Sequence, residues 1–249
     1  RTSSSRLKNK CLLNLSKYTK VIEHVALRCL ESNIKPIICT TSSRQDDKLL
    51  KIIKKLDIKY FRGSEKNKIK RWYDCSIKYN LNYFHTIDAD DLYFDPISVK
   101  NSLELALKKK AEIVHPSKAS RYGGASEGYS FSKKGIKKLY QNLNSYIFNN
   151  MNSFDTEMID SFISDAKLIE YTLKGQSYEI DSKIRFTLDY KEDFKMFKII
   201  FKKFGIYEKR KIINEFLIKN RNILKINYFK NTSWSQKQKK FIIPLKNNY

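Results

Sequence analysis

Three carboxylates crowd the stretch YFHTIDADD: Asp88, Asp90 and Asp91 follow directly on an apolar run. Like charges this close repel, and a hard divalent cation is the common remedy; Mg2+ suits one or two carboxylates completed by phosphate oxygens. Strand alternation would set Asp88 and Asp90 on one side and Asp91 on the other, making Asp88 and Asp90 the working pair. The competing reading is a solvated loop whose acids cap the next helix. Asp95, just ahead of Pro96, fits such a cap well and leaves the other three acids unexplained. Asp189, which closes RFTLD, is a further acid with two readings. With Glu192 it forms a D-x-x-E start for the helix that follows, or it faces a cation at the same sheet edge.

The cations that would complement an anionic ligand lie at the beginning of the chain, in RTSSSRLKNK. Arg1, Arg6 and Lys10 could clamp a triphosphate, although a solvated tail has the same composition. Arg62 and Arg71 flank a second polar loop. No glycine-rich pattern accompanies these residues, which excludes a Walker loop. His24, His85 and His115 are scattered over helix and strand positions and read as structural. Cys11, Cys29, Cys39 and Cys75 have no C-x-x-C spacing, so neither a zinc site nor a disulfide framework is indicated.

Strand and helix signals alternate around these residues. KPIICTT (35–41), KYF (59–61), YFHTIDAD (83–90), AEIVHPS (111–117), KLIEYTL and SYEIDSKIRFTLD read as strands. Helices are expected over 17–32, 46–56, 63–80 with Ser64 as N-cap, from Pro96 onward, 191–205 ending at Gly205, and 207–224. The stretch 121–135 reads as a loop flanking a strand, and 151–164 as a loop with a short helix. The alternation predicts an α/β fold, a doubly wound and mostly parallel sheet covered by helices, whose ligand binds beyond the carboxyl ends of the strands. The hydroxyl cluster TTSSRQDD (40–47) and the acid cluster both fall at such ends.

The chain has 249 residues and a formal charge of +24. Half of that charge lies from Lys191 to Tyr249, where 16 Lys/Arg meet 4 Asp/Glu. Such a balance favours anionic partners: nucleotides, phosphosugars, nucleic acid or an anionic membrane. No apolar run approaches the length of a membrane span, and the expected location is the cytoplasm. One domain is expected over 1–205, with a basic helical extension over 206–249 packed on it.

Four ordered blocks resemble the sugar-acid cytidylyltransferases, the CMP-sialate and CMP-3-deoxy-manno-octulosonate synthetases, and within them the spore coat polysaccharide biosynthesis protein F branch. RTSSSRLKNK is similar to the signature R-x-x-S-x-R-L-P-G-K, with Lys8-Asn9 in place of Pro-Gly. YFRGSEKNKIKRWYD resembles F-R-G-S-E-x-x-V-L-x-R-Y-Y. TIDADDLYFDP resembles R-I-T-G-D-C-P-L-I-D-P, with Asp88 where the branch has a small or hydroxyl residue. IRFTLDYKEDF resembles R-L-T-V-D-x-P-E-D-L, with Lys191 in place of the proline.

The resemblance implies a nucleotide-diphospho-sugar transferase fold, like that of glycosyltransferase A, and transfer of CMP from CTP to a sugar acid with release of pyrophosphate. It implies Arg6 and Lys10 on the triphosphate with Arg1 assisting, and Mg2+ on Asp90 and Asp189. Asp88 would add a further metal acid or a base. Ser4, Ser5, Thr40, Thr41, Ser42, Ser43, Arg62, Ser64 and Arg71 complete the expected nucleotide site. Arg121, Glu127, Asp155 and Glu157 lie where the acceptor pocket would be. The expected partners are CTP and an acidic or phosphorylated acceptor, with a homodimer and no nucleic acid. The family loop follows a central strand, so about eight further residues are expected ahead of Arg1. Two other functions fit the residues less well. One is a glycosyltransferase gripping a nucleotide-sugar with D-x-D at 88–90, and the other is a nucleic-acid-binding protein driven by the basic C-terminal quarter.

Overall fold

The computed structural model describes residues 1–2, 6–117, 127–149, 156, 159–175 and 184–232. Six strands are described: β1 (Ile37–Thr41), β2 (Lys59–Gly63), β3 (Tyr83–His85), β4 (Ile113–His115), β5 (Ser130–Ser132) and β6 (Glu170–Thr172). The helices are α1 (Val21–Glu31), α2 (Asp47–Lys55), α3 (Lys68–Lys78), α4 (Pro96–Lys109), α5 (Lys133–Asn149), α6 (Asp160–Ile163), α7 (Lys191–Phe204), α8 (Arg210–Lys219) and α9 (Arg221–Leu224). β1 and β2 pair in parallel, and the remaining strands form a sheet in the order β3-β5-β4-β6. In that sheet β5 alone runs against its neighbours, and β4 and β6 are parallel. The architecture is the mixed, mostly parallel α/β arrangement that the alternation predicts.

Helix α1 shows how the apolar spacing builds the layers. Val21, Val25 and Cys29 turn into a core shared with Leu92, Tyr93, Phe94, Phe186, Phe197 and Leu217. Ile22 and Ala26, one position along, pack on Leu49, Ile53 and Ile58 instead. Two stripes at helical spacing thus bury one helix between two clusters. From the same helix Arg28 donates to the carbonyls of Phe94, Ile206 and Glu208 at 3.0, 2.7 and 2.9 Å. It is 2% exposed, so this cation serves the fold. The apolar faces of α8 and α9, through Ile213, Leu217 and Leu224, belong to the same core as α7.

Several boundaries differ from the sequence expectation. The strand at 83–90 ends at His85, and Asp88–Asp91 is a turn closed by the Asp91 N–H on the Asp88 carbonyl at 3.0 Å. Helix α3 starts at Lys68, where the Asn67 side chain accepts the Lys70 N–H; Ser64 Oγ accepts the Asn67 N–H one turn earlier and is not the cap. A 17-residue helix, α5, absent from the sequence expectation, follows β5, with its buried Ile136, Leu139 and Leu143 at helical spacing. The helix expected over 207–224 is broken at Asn220 into α8 and α9. The cap expected at Asp95 is present, its Oδ1 accepting the Ile97 N–H at 3.0 Å.

Candidate active site

The loop over residues 6–12 leads into a 3₁₀ turn, Lys10–Leu12, and Asn9 ahead of it has φ 54°. This is the left-handed region, which glycine enters freely and asparagine more readily than most residues. Asn9 thereby does what the glycine of the resembling signature would do, and Lys10 projects toward the carboxylates.

Lys10 Nζ reaches Asp90 Oδ2 at 2.5 Å and Asp189 Oδ1 at 3.1 Å. Arg6 adds a second cation on the same Asp189 oxygen at 2.8 Å. Two elements distant in sequence bring the acids together. Asp90 sits on the turn after β3, and Asp189 ends the segment 184–189. The Leu188 N–H donates to the Asp90 carbonyl at 2.9 Å and fixes the register between them. Burial alone would lower the Lys10 pKa, but the two aspartates outweigh it and raise it. Burial would likewise raise Asp90, but the charge of Lys10, its hydrogen bond and Lys68 hold it below the ordinary carboxylate value.

The helix that follows removes the capping reading of Asp189. Asp193, not Glu192, takes the capping position: its Oδ2 accepts the N–H of Asp189 at 2.9 Å and of Tyr190 at 2.8 Å. Glu192 pairs with Lys230 at 3.0 Å. The Asp189 carboxylate therefore caps nothing and faces cations, Arg6 and Lys10 on Oδ1 and Arg185 on Oδ2.

The turn at 88–91 corrects the expected side-chain sorting. Asp88, Asp90 and Asp91 all offer oxygens within 4.8 Å of one another, so Asp91 is not turned away. Burial, with repulsion from Asp90 and Asp88, pushes the Asp91 carboxyl well above its ordinary pKa. An all-oxygen, charge-crowded donor set of this kind fits a hard cation such as Mg2+. Asp88 is held by Lys68, whose Nζ lies 2.8 and 3.2 Å from its two oxygens and 5.0 Å above the Trp72 ring.

Several other expected site residues have partners within the protein. Thr40 and Thr41 are 0% and 2% exposed, and both hydroxyls donate to Asp46 Oδ2 at 2.6 Å. Arg62 grips the carbonyls of Thr41, Ser42 and Ser43 at 3.0, 2.9 and 2.8 Å, and Asp47 at 2.9 Å, fixing the loop after β1. Arg71 donates to the Ser64 carbonyl, Arg1 to the Glu65 carbonyl, and Ser43 accepts the Gln45 N–H. Ser42 is exposed. Glu127 is buried and its carbonyl meets His85 Nε2 at 2.6 Å. Ser4, Ser5, Arg121, Asp155 and Glu157 lie outside the described residues.

Sequence reasoning passed over Lys68, Asp46, Arg185 and Asp193. Arg185 had a readable signal: an arginine four residues before Asp189 in an otherwise apolar run.

The curated protein "Uncharacterized protein MJ1063" of Methanocaldococcus jannaschii is 30% identical over 239 residues, which cover 91% of each chain. The chain belongs to its family. No protein-family model matches the sequence. Among solved structures, a cytidylyltransferase from Leptospira borgpetersenii serovar Hardjo-bovis superposes with a TM-score of 0.71 at 21% identity, over 90% of this chain and 92% of that one. A CMP:2-keto-3-deoxy-manno-octonic acid synthetase complexed with CTP gives a TM-score of 0.59 at 12% identity, over 81% of this chain and 95% of that one. These likenesses show the fold, that of the cytidylyltransferases. No helix among the described residues is long and apolar enough to cross a membrane.

Proposed function

We propose that this member of the family is a CTP-dependent cytidylyltransferase. It moves CMP from CTP onto a sugar acid or a related acidic or phosphorylated surface-glycan precursor and releases pyrophosphate. The observation that carries this reading is the linked cluster Arg6–Asp189–Lys10–Asp90. It joins two cations suited to a triphosphate with two carboxylates suited to a hard cation. The shared fold with proteins that include one complexed with CTP supports the choice of nucleotide.

In the reaction, an acceptor oxygen attacks the α-phosphorus of CTP. The bond from that phosphorus to the bridging oxygen breaks, its electron pair leaves with pyrophosphate, and the acceptor hydroxyl gives its proton to solvent. Such chemistry is mostly positioning and charge stabilisation. Arg6 and Lys10 would orient the triphosphate and stabilise charge on the leaving group. Asp90 and Asp189, with Asp88 and Asp91 beside Asp90, would hold Mg2+. When bound there, Mg2+ supplies charge neutralisation on the phosphates.

A pyrophosphate-release assay with CTP, UTP, ATP and GTP against a panel of acidic sugars and phosphorylated acceptors tests the reading. Release that depends on CTP, an acceptor and Mg2+ is expected. Absence of release with every pair, or release of nucleoside diphosphate from a nucleotide-sugar, would overturn it.

A further inference from the structure

The face of Asp189 turned away from Lys10 is held by residues far along the chain. Arg185 is wholly buried, and its guanidinium is fixed on three sides. Nε donates to Asp193 Oδ1 at 3.0 Å, and one terminal nitrogen to Asp189 Oδ2 at 3.1 Å. The other terminal nitrogen donates to Asn231 Oδ1 at 3.2 Å. Asn227, 1% exposed, donates its amide to Asp193 Oδ1 at 2.9 Å and to the Arg185 carbonyl at 3.1 Å. A planar fork bonded in three directions cannot rotate without leaving a buried donor unmatched.

We infer that Asn227, on the turn after α9, and Asn231, in the helical stretch that follows it, are positioning residues for Asp189. They act through Arg185 and Asp193. The two oxygens of the Asp189 carboxylate have different partners. Oδ2 is fixed by Arg185, so Oδ1 is presented to Lys10 and Arg6 in a set direction. Arg185 lies between two carboxylates, Asp189 and Asp193, and one negative charge is left over for the cation side. The backbone N–H of Asp189 is gripped by the same Asp193. The site is thus completed by a segment about forty residues downstream of the acid it orients. Outer-shell partners of this kind set the direction and basicity of a metal-ligating carboxylate.

This inference rests on Asp189 as a cation ligand, as proposed above. Its test titrates Mn2+ into the full chain with CTP present, by calorimetry and by the electron paramagnetic resonance of free Mn2+, with thermal melting as a control. Asn231→Ala is expected to weaken Mn2+ binding about tenfold. Its melting temperature should drop modestly, because a buried Arg185 donor loses its partner. Its affinity for metal-free CTP should stay close to the wild-type value. Asn231→Asp keeps the acceptor oxygen and should restore the affinity. Arg185→Ala risks unfolding, so Arg185→Lys, which keeps the charge and loses the fork, serves instead and should weaken Mn2+ in the same way. Unchanged Mn2+ affinity in folded Asn231→Ala, or an equal loss in Asn231→Asp, would overturn the positioning role alone. A wild-type protein that binds no Mn2+ with CTP would overturn the functional reading, and this inference with it.

Discussion

Lys10 Nζ stands between the carboxylates of Asp90 and Asp189, 2.5 Å from one and 3.1 Å from the other. One ammonium therefore holds together two acids that come from separate halves of the chain. Replacing it with methionine keeps much of the volume and leaves the acids facing each other with less cation. Breaking such a partly buried pair costs about 3–5 kcal/mol. The Lys10→Met variant should melt lower than wild type in metal-free buffer and gain more than wild type when Mg2+ is added. Its pyrophosphate release should fall by about 10²–10³-fold, the usual loss when one preorganised charge donor is removed. A variant equal to wild type in both melting and turnover would show that Lys10 links nothing of consequence.

Asp88 and Asp90 differ in setting although they share one turn. Asp88 has 42% of its side chain exposed and pairs with Lys68, whereas Asp90 is engaged by the half-buried Lys10. An exposed pair contributes at most about 1 kcal/mol. Asp88→Asn should accordingly lower turnover by less than about tenfold, and Asp90→Asn by about 10²-fold or more. Steady-state rates over a Mg2+ series separate the two. Equal losses would mean that Asp88 is a full member of the cation site.

The distance of these acids in sequence explains what could be read from it and what could not. Arg6, Lys10, Asp90 and Asp189 announced themselves by type, by position at strand ends and by ordered resemblance. The helix cap at Asp95 was equally plain, because Asp-Pro at a helix start has one local meaning. The turn at 88–91 was not legible, since the apolar run YFHTI carries a strand pattern past its actual end at His85. Thr40, Thr41 and Arg62 have partners inside the fold that their residue types could not announce. Hydroxyls and guanidinium groups satisfy buried backbone and carboxylates as well as they bind nucleotides, and only three-dimensional partners distinguish the two. Asn227 and Asn231 gave no signal, because their partner Arg185 lies more than forty positions away.

The buried histidines predict how stability follows pH. His24 Nε2 lies 3.0 Å from the Leu92 carbonyl, and burial with the nearby Arg28 lowers its pKa from 6.5 to about 3. Burial lowers His85 from 6.5 to about 4. Between these values and 6.5 the unfolded chain binds protons that the folded chain refuses, so stability falls as the pH drops through that window. Each histidine contributes a slope of up to about 1.4 kcal/mol per pH unit. His24→Gln keeps an amide donor for Leu92 and does not titrate, so its melting temperature should fall less steeply than wild type from pH 6.5 to 4. Parallel curves for the two proteins would refute a neutral buried imidazole.

Asp46 ties the first residues of the chain to β1. It accepts the Thr2 N–H at 2.8 Å and the Thr2 hydroxyl at 2.7 Å on one oxygen. The other oxygen takes the hydroxyls of Thr40 and Thr41 at 2.6 Å and the Thr41 N–H at 3.0 Å. Burial raises its pKa, but these hydrogen bonds from Thr40, Thr41 and Thr2 outweigh it and hold the carboxyl below the ordinary 3.8. The stabilisation is therefore complete above that ordinary value and is lost as the pH falls below it toward the depressed folded pKa. Asp46→Ala strands several buried donors at once, and a cost of roughly 3 kcal/mol follows from unsatisfied groups of this kind. For a chain of this size that is a melting-temperature loss of about 6–12 °C at pH 7. The gap from wild type should narrow below about pH 4 as the wild-type carboxylate takes up its proton. Because Thr2 lies four positions before Arg6 in the sequence, the variant should also weaken CTP binding when compared at a temperature where both proteins are folded. Full CTP affinity in a folded Asp46→Ala would mean that the loop carrying Arg6 and Lys10 is positioned without this anchor.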